Sequence, residues 1–296
     1  MTATTTATAT DAPAVADAPG PPPVRLGELP HRSALAALWQ DTLVYTGRNL
    51  QHIRQIPEKL LDVTIQPLMF VLLFTYVFGG AMKGVENYQE YLIGGILMQS
   101  LAFGMTGPAT AIATDLTEGV LDRFRSLPAN KAAYLLGHYG AELMGMMLSV
   151  AVLLGAGLIV GWRVHTDPLH VGLALLLLFT FASAMIWVGT WIGLMVRTPD
   201  AVMGVGFTVV FPLTFLSNAF VPINTLPGPL LWFASWNPIS AMVAAVRELF
   251  GNPGAPLTNP TWPLEHPVAA SAIYCVAILA IVVPLAMRRY RHRTTD

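Results

Sequence analysis

The chain has 296 residues, of which 54% are hydrophobic and only 11% are charged, and its mean hydropathy is +0.57. This composition excludes a soluble globule, which needs more polar surface, and predicts an all-α integral membrane protein. The net charge of −1 says little about partners, and we expect no nucleic acid among them. Cys275 is the single cysteine, so an internal disulfide and a cysteine metal cluster are excluded, and we expect no metal site.

The N-terminal region is predicted to lie in or along the cytoplasm. Residues 1–33 are rich in Ala, Thr and Pro and are predicted to be a disordered cytoplasmic tail. The following stretch, "ALAALWQDTLVYTGRNLQHIRQ", places apolar and aromatic residues on one helical stripe. We interpret it as an interfacial helix on the cytoplasmic leaflet, ending at Pro57.

Six apolar runs are long enough to cross a membrane as helices. An isolated strand cannot satisfy its backbone hydrogen bonds in lipid, and the alternation of an outer-membrane barrel is absent, so all six are predicted to be helical. Two Gly pairs, Gly157 with Gly161 and Gly189 with Gly193, have the spacing that favours close helix packing, here within one subunit. The six predicted spans are Val63–Ala81, Tyr91–Thr114, Tyr134–Val160, Leu169–Val196, Ala201–Phe220 and Val268–Met287.

The distribution of Lys and Arg predicts the orientation. With the N-terminus inside, thirteen of the 16 basic residues fall on cytoplasmic segments, and only Lys83, Arg163 and Arg247 fall outside. This asymmetry follows the positive-inside rule and places both termini in the cytoplasm, with residues 291–296 as a basic cytoplasmic tail. The transmembrane domain is therefore predicted to span residues 34–290.

The segment after the fifth span is apolar but interrupted by prolines. "FVPINTLPGPLLWFASWNPISAMVAAVRELF" leaves pieces too short to cross a membrane. Short apolar helices with Pro breaks and aromatic residues predict a re-entrant or interfacial hairpin on the outer side, and an amphipathic outer loop is the alternative.

A charged stretch, "TEGVLDRFRSLPANKAAY" from Thr117 to Tyr134, separates spans two and three. Asp115 and Glu118 are predicted to lie in the first turn of a short cytoplasmic helix, Arg123 and Arg125 near its end, and Pro128 after it. The apolar side of this helix either rests on the membrane or docks into a groove on a soluble partner.

Motifs for catalysis are missing. The chain has no Gly-rich loop with a following Lys and Ser or Thr, no zincin pair and no nucleophile elbow, so we predict neither a bound cofactor nor an enzymatic activity of its own. Glu142 is the one acid well inside a predicted span, with His138 one turn earlier. This pair is either a proton or cation coupling site or a polar group near the headgroups.

Three separated motifs make the chain resemble the permease subunits of ABC type-2 exporters, in particular the daunorubicin-resistance branch. They are "RNLQHIRQIPEKLLDVTIQPLMFVLLFTYVFGGAM" (48–82), "EGVLDRFRSLP" (118–128) and "NAFVPINTLPGPLLWFASWNPISAMVAAVREL" (218–249). The resemblance implies a six-span permease of a bacterial cell membrane that forms a homodimer, or a dimer with a related permease, and pairs with a separate ATPase subunit that binds ATP.

The resemblance also implies roles for particular residues. The loop between spans two and three would couple ATP binding to transport through Glu118, Gly119, Leu121, Arg123, Phe124, Arg125, Leu127 and Pro128. The outer hairpin would act as a gate through Pro222, Asn237, Pro238 and Arg247. Substrate would pass between spans two and five.

Candidate pathway faces can be identified on those two spans. Gln99, Phe103, Thr106 and Thr110 share a stripe of span two, and Thr208, Phe211, Phe215 and Asn218 share one of span five. Such a mostly apolar cavity fits a small amphiphilic drug or a lipid, although aromatic stripes also occur in ordinary helix packing. The leading hypothesis is efflux of hydrophobic or amphiphilic compounds, including antibiotics. The alternatives are export of lipids or lipid-linked glycans, a non-transporting membrane scaffold and a proton antiporter.

Overall fold

The computed structural model describes residues 65, 68–78, 88–119, 131–252, 254 and 259–292. The predicted N-terminal tail, the predicted interfacial helix and residues 120–130 lie outside these ranges. Throughout the described ranges the regular structure is helical, as the composition predicted. The chain is therefore an all-α protein in the part that the structure describes.

The helices are numbered here in chain order, and two of them contain a π-helical segment. An apolar helix over Leu68–Val77 turns into a π-helix over Leu73–Phe78. The sixth helix contains a π segment over Gly206–Val210. The bounds are α1 Leu68–Val77, α2 Tyr88–Phe103, α3 Thr106–Thr117, α4 Lys131–Val160, α5 Pro168–Gly193, α6 Pro199–Phe215, α7 Gly228–Trp236, α8 Pro238–Phe250, α9 Trp262–Glu265 and α10 Pro267–His292.

Four apolar segments of the described chain are long enough to cross a membrane. They correspond to predicted spans two, three, four and six: Tyr88–Thr117, Tyr134–Val160, Pro168–Gly193 and Pro267–Tyr290. Predicted spans one and five coincide with the shorter helices α1 and α6. Helices α7 and α8 bend by 67° at Asn237 and count as a fifth crossing only if the bent pair is one span.

Helix α5 lies at the centre of the bundle and packs against α3, α4, α8 and α10. The closest approach is at two glycines, because a Cβ atom on Gly189 would lie 2.1 Å from the carbonyl oxygen of Met105, and one on Gly193 would lie 2.5 Å from that of Ala109. The predicted packing role of this Gly pair within one subunit is confirmed. Large apolar side chains such as Ile159, which is 88% exposed, face outward, as in a protein surrounded by lipid.

The bundle has two ends, named here after α2 and α3. The Tyr88 end holds the start of α2, the α4–α5 loop and the bent α7–α8 pair, and the Thr117 end holds the end of α3 and the starts of α4 and α6. Residues from the α4–α5 loop bond to the end of α8, since His165 N donates to Phe250 O at 2.9 Å and Thr166 Oγ1 to Leu249 O at 2.6 Å.

Candidate functional site

Predicted span two is interrupted in its middle, between α2 and α3. Pro108 has no N–H to donate to the carbonyl of Gly104, and Gly104 has little intrinsic preference for helix. The hydroxyl of Thr106 instead donates to Phe103 O at 2.8 Å. The predicted stripe is therefore interrupted at Gly104 and Met105.

The pathway residues predicted on this span therefore differ in their exposure. Gln99 is 4% exposed and belongs to the protein interior, while Phe103, Thr106 and Thr110 are half-buried. Gly107, which was not predicted, is exposed on the same side of α3 as Thr110. The open part of this span therefore begins at Phe103 and continues along α3.

Helix α6 presents a face different from the predicted one. Its π segment widens the turn, so Phe207, Phe211 and Phe215 follow one another along the surface, and they are 60%, 40% and 39% exposed. Thr208 is exposed as predicted but lies outside this line of rings. Asn218 lies beyond the end of α6 and is 9% exposed, so the prediction that it shares a helical stripe with Phe211 and Phe215 is wrong.

The rings of α6 belong to a longer series, called here the aromatic row. Consecutive ring centroids in it are 4.2 to 6.4 Å apart, within the range of favourable aromatic contacts. It begins on α1, continues to Phe220 near the Tyr88 end, and then follows α6 to Phe103 on α2. Its members in order are Phe70, Phe74, Phe220, Phe215, Phe211, Phe207 and Phe103.

Asn237 joins the end of α6 to the bent pair. Its Nδ2 donates to Leu213 O at 2.7 Å and to Leu216 O at 3.0 Å, which satisfies carbonyls that α6 leaves free where it ends. Its Oδ1 accepts from Ile239 N at 2.9 Å and caps α8, with Pro238 in the first turn. One side chain thus caps two helices, which explains an Asn at the 67° bend.

Arg247 is a buried arginine, 2% exposed, on α8. Its Nε donates to Tyr91 O at 2.8 Å, and its terminal nitrogens donate to Asn218 O and Ala219 O, both at 2.9 Å. The guanidinium carbon lies 3.5 Å from the centroid of the Tyr91 ring, a cation–π contact. Arg247, Tyr91, Asn218 and Ala219 are called here the arginine clamp, because they join α8, α2 and the chain that follows α6.

Two glycines of α2 make room for this clamp. A Cβ atom on Gly95 would lie 2.0 Å from Ala219 O, and one on Gly94 would lie 2.9 Å from Cγ of Arg247. The hydroxyl of Tyr91 donates to Asn218 O at 2.7 Å, so that carbonyl accepts two bonds. Of the predicted gate residues, Asn237 and Arg247 are brought to the same end of α6, and Pro222 lines a cavity of about 340 Å³ beside Arg247.

At the Thr117 end, the acidic residues end a helix instead of beginning one. Asp115 lies in the last turn of α3, Glu118 is its C-cap, and Gly119 follows with φ 67°. The prediction that Asp115 and Glu118 form the first turn of the cytoplasmic helix is therefore wrong: they continue the span, and the left-handed Gly119 ends it. Asp115 accepts a hydrogen bond from the hydroxyl of Tyr134 on α4.

Glu118 is exposed and Gly119 is half-buried, so both lie at the surface of the Thr117 end. The other predicted coupling residues lie outside the described residues: Leu121, Arg123, Phe124, Arg125, Leu127 and Pro128.

Sequence reasoning missed Tyr91 and Phe207. Phe207 could have been found from its i, i+4, i+8 spacing with Phe211 and Phe215, since that spacing marks one face of a helix. Nothing local identifies Tyr91, because its role depends on Arg247, 156 positions away.

Several described helices are long and apolar enough to cross a membrane, and comparison with known proteins identifies the family. Residues 40–250 match the ABC-2 type transporter family, so the chain belongs to that family. It is 32% identical over 263 residues to the daunorubicin resistance ABC transporter permease protein DrrB1 of Streptomyces coeruleorubidus, covering 88% of this chain and 90% of that protein.

Two further relatives are more distant. The doxorubicin resistance ABC transporter permease protein DrrB of Mycobacterium tuberculosis is 26% identical, with 74% of this chain and 76% of that protein covered. The putative transport permease ycf38 of Cyanophora paradoxa is 24% identical, with 72% and 75% covered. The chain is thus a multi-pass permease subunit of the ABC transporter class, a class in which a separate ATPase supplies the energy.

Proposed function

We propose that the chain effluxes hydrophobic or amphiphilic compounds, antibiotics among them, when driven by a separate ATPase subunit. The observation that carries the proposal is the aromatic row, since Phe207, Phe211 and Phe215 stay exposed along α6 beside α2 and α3. Exposed aromatic rings offer large flat contact areas to apolar, planar compounds. The relatives named for resistance to daunorubicin and doxorubicin support the same substrate class.

The proposed topology has six spans, with α1 and α6 completing the four long ones and both termini in the cytoplasm of a bacterial inner membrane. The bent α7–α8 pair then forms a re-entrant hairpin at the outer side, where the Tyr88 end lies, and Pro222, Asn237, Pro238 and Arg247 act as an outer gate. Single cysteines at Lys83 and Arg291, in a variant with Cys275 replaced, should react with an impermeant thiol reagent from outside and from inside, respectively. The reverse labelling would contradict this topology.

We further propose that two copies of the chain, or one copy and a related permease, assemble with two copies of the ATPase. The Thr117 end, with Glu118 and the segment to Pro128, would face the ATPase and transmit its closure to α3 and α4. The chain itself would bind no ATP and hold no cofactor, which fits the lack of a phosphate-binding loop in its sequence.

Reconstitution tests the function. The purified permease, combined with its cognate ATPase in liposomes, should hydrolyse ATP faster when daunorubicin is added and should accumulate daunorubicin in inside-out vesicles. Replacing Phe207 and Phe211 together by Ala should weaken this stimulation at least several-fold, because a large apolar contact area is lost. Stimulation by a lipid-linked glycan and not by daunorubicin would favour the alternative substrate class.

A further inference from the structure

Glu142 lies deep within an apolar span and close to an open face of the protein. At a rise of 1.5 Å per residue it is about 12 Å along α4 from Tyr134, the first residue of that span. Its carboxylate faces Gly107 of α3, since a Cβ atom there would lie 3.2 Å from Oε2. Gly107 is exposed and Glu142 is half-buried, so the carboxylate stands at the edge of the open face.

This carboxylate makes no hydrogen bond or ion pair with any residue that the structure describes. His138, one turn earlier on α4, does not neutralise it: that ring is 6% exposed and stacks on Tyr134. An ionisable group within a span costs several kcal/mol unless something pairs with it. Glu142 therefore calls for a positive partner that comes from outside the described part of the chain.

The aromatic row contacts the same part of the span. Phe207 meets Phe103 at a centroid distance of 6.3 Å, and a Cβ atom on Gly206 would lie 3.2 Å from Cγ2 of Thr106. Residues 103 to 107 thus contact α6 through Phe103 and Thr106 and lie against Glu142 at Gly107. A negative charge and a series of exposed rings therefore border one face, with the small Gly107 between them.

We propose that Glu142 is the counter-charge for a cationic group on the transported amphiphile, whose planar apolar part lies on the aromatic row. Charge complementarity selects this occupant, because a neutral lipid or a second apolar helix would leave the carboxylate unpaired. Metal binding is not favoured, since the described residues contain no group of three His, Cys, Asp or Glu side chains near one another. This inference rests on the proposed drug efflux and adds the charge of the substrate to it.

The experiment compares two probes that differ in one charge. Daunorubicin carries an amine that is protonated at neutral pH, and its N-acetylated derivative is uncharged. Transport of both is measured in inside-out vesicles containing the permease with its cognate ATPase, for the wild type, Glu142→Gln, Glu142→Asp and a control, Asp200→Asn. Asp200 is an exposed acid at the start of α6, so this control removes one negative charge away from the face.

We expect the wild type to prefer the cation, and Glu142→Gln to reduce that preference, measured as the ratio of the two KM values, by about tenfold, as for the loss of one hydrogen bond to a charged group. Glu142→Asp and Asp200→Asn should keep the ratio within roughly twofold. The glutamine variant should fold, because removing an unpaired intramembrane charge relieves an energetic cost.

Four results would overturn the inference. If Glu142→Gln raises both KM values equally, Glu142 acts through packing and not through charge. If the ratio is unchanged while the oligomeric state of the permease changes, a second copy occupies the face. If the wild type transports both probes but without any preference for the cation, Glu142 does not act as a counter-charge, although the proposed efflux stands. Transport of neither probe by the wild type would overturn the proposed function itself, and this inference with it.

Discussion

Different kinds of contact hold the helices together at the two ends of the bundle. At the Tyr88 end, side chains bond to groups far away in sequence: Arg247 donates to three backbone carbonyls, and Trp162 Nε1 donates to the side-chain Oδ1 of Asn252 at 3.0 Å. At the Thr117 end, the described contacts among α3, α4 and α10 include the Tyr134–Asp115 hydrogen bond, the stacking of Tyr134 on Tyr290 with ring centroids 6.2 Å apart, and the packing of Ile112 against Leu135 and Ala286 in one apolar cluster. Among the described contacts, the Tyr88 end therefore has a polar network, and the Thr117 end has mainly aromatic and apolar packing.

The difference indicates which end can move at low cost. Buried hydrogen bonds have strict geometry, and breaking one leaves an unsatisfied group, whereas aromatic contacts tolerate small shifts. A displacement at the Thr117 end would therefore travel along α3 and α4, while the arginine clamp keeps the Tyr88 end together. This division agrees with the proposal that the ATPase acts at the Thr117 end. The predictions below test it, beginning with the largest expected effect.

Removing the arginine should damage the Tyr88 end severely. Arg247→Met keeps an apolar chain of similar length but leaves the carbonyls of Tyr91 and Ala219 without their donors, so we expect the free energy of unfolding to fall by about 3 kcal/mol. Thermal unfolding of the detergent-purified protein measures this. The control is Arg163→Met, because Arg163 is exposed and its side chain donates to two carbonyls of its own segment, those of Leu158 and Trp162. Equal stability of the two variants would contradict the clamp.

Overpacking the contact between α3 and α5 should destabilise the protein nearly as much as removing Arg247. Gly189→Ala places a methyl group against Met105 O, and such overpacking costs about 1 to 3 kcal/mol. Gly172→Ala provides the matched control in the same helix, since a Cβ atom there meets nothing within 4 Å. That control should be neutral or more stable by up to about 1 kcal/mol. A destabilising Gly172→Ala with a silent Gly189→Ala would contradict the described packing.

Substitutions at the Thr117 end should weaken coupling to the ATPase without changing the stability of the permease. Exchanging Glu118 and Arg123 together for Ala should change the free energy of unfolding by less than about 0.5 kcal/mol, because Glu118 is exposed and substitutions of surface charges have small effects on stability. The same pair should weaken binding to the ATPase by about 2 kcal/mol or more if it belongs to an interface hot spot. Co-purification with the ATPase and drug-stimulated ATP hydrolysis measure this loss.

A control for this double variant removes one acid and one arginine from the opposite end, at Glu265 and Arg163, both exposed. It should co-purify normally. If Glu118→Ala with Arg123→Ala still couples fully, the segment rests on the membrane instead of contacting the ATPase.

Sequence patterns predicted the long spans well and the irregular ones less well. The third span was predicted with both ends correct, because a continuous apolar run defines it. The break at Gly104 and the π segment of α6 were not predicted, because hydropathy carries no information on breaks in a helix or on the number of residues per turn. The stripe predicted on α6 was wrong because the helix ends at Phe215, so Asn218 does not continue its helical spacing.

The parts of the site that depend on distant partners were the least predictable. Arg247 was expected at a gate from family resemblance, but its burial against Tyr91 and Ala219 required knowledge of which helices meet. Glu142 was visible as an acid within a span, yet its position beside Gly107, one turn along the span from the contact between Phe103 and Phe207, follows only from the packing. The residue types present in each segment could be interpreted from the sequence, whereas the contacts between residues far apart in sequence could not.

The smallest expected effect concerns the start of α5, at the Tyr88 end. Asp167 is the N-cap of α5, and its hydrogen bond with His170 holds the pKa of its carboxyl below the ordinary value of 3.8. A lowered pKa means that the folded state favours the charged form, so the stabilisation is present above the unfolded pKa and is lost as the pH falls through the folded pKa. Because the carboxyl is fully exposed, solvent screening keeps the effect small. Asp167→Asn should therefore lower the unfolding temperature slightly at pH 7, and the difference from the wild type should shrink steadily below about pH 4. A difference that stays constant down to pH 3 would show that the charge of Asp167 does not stabilise the start of α5.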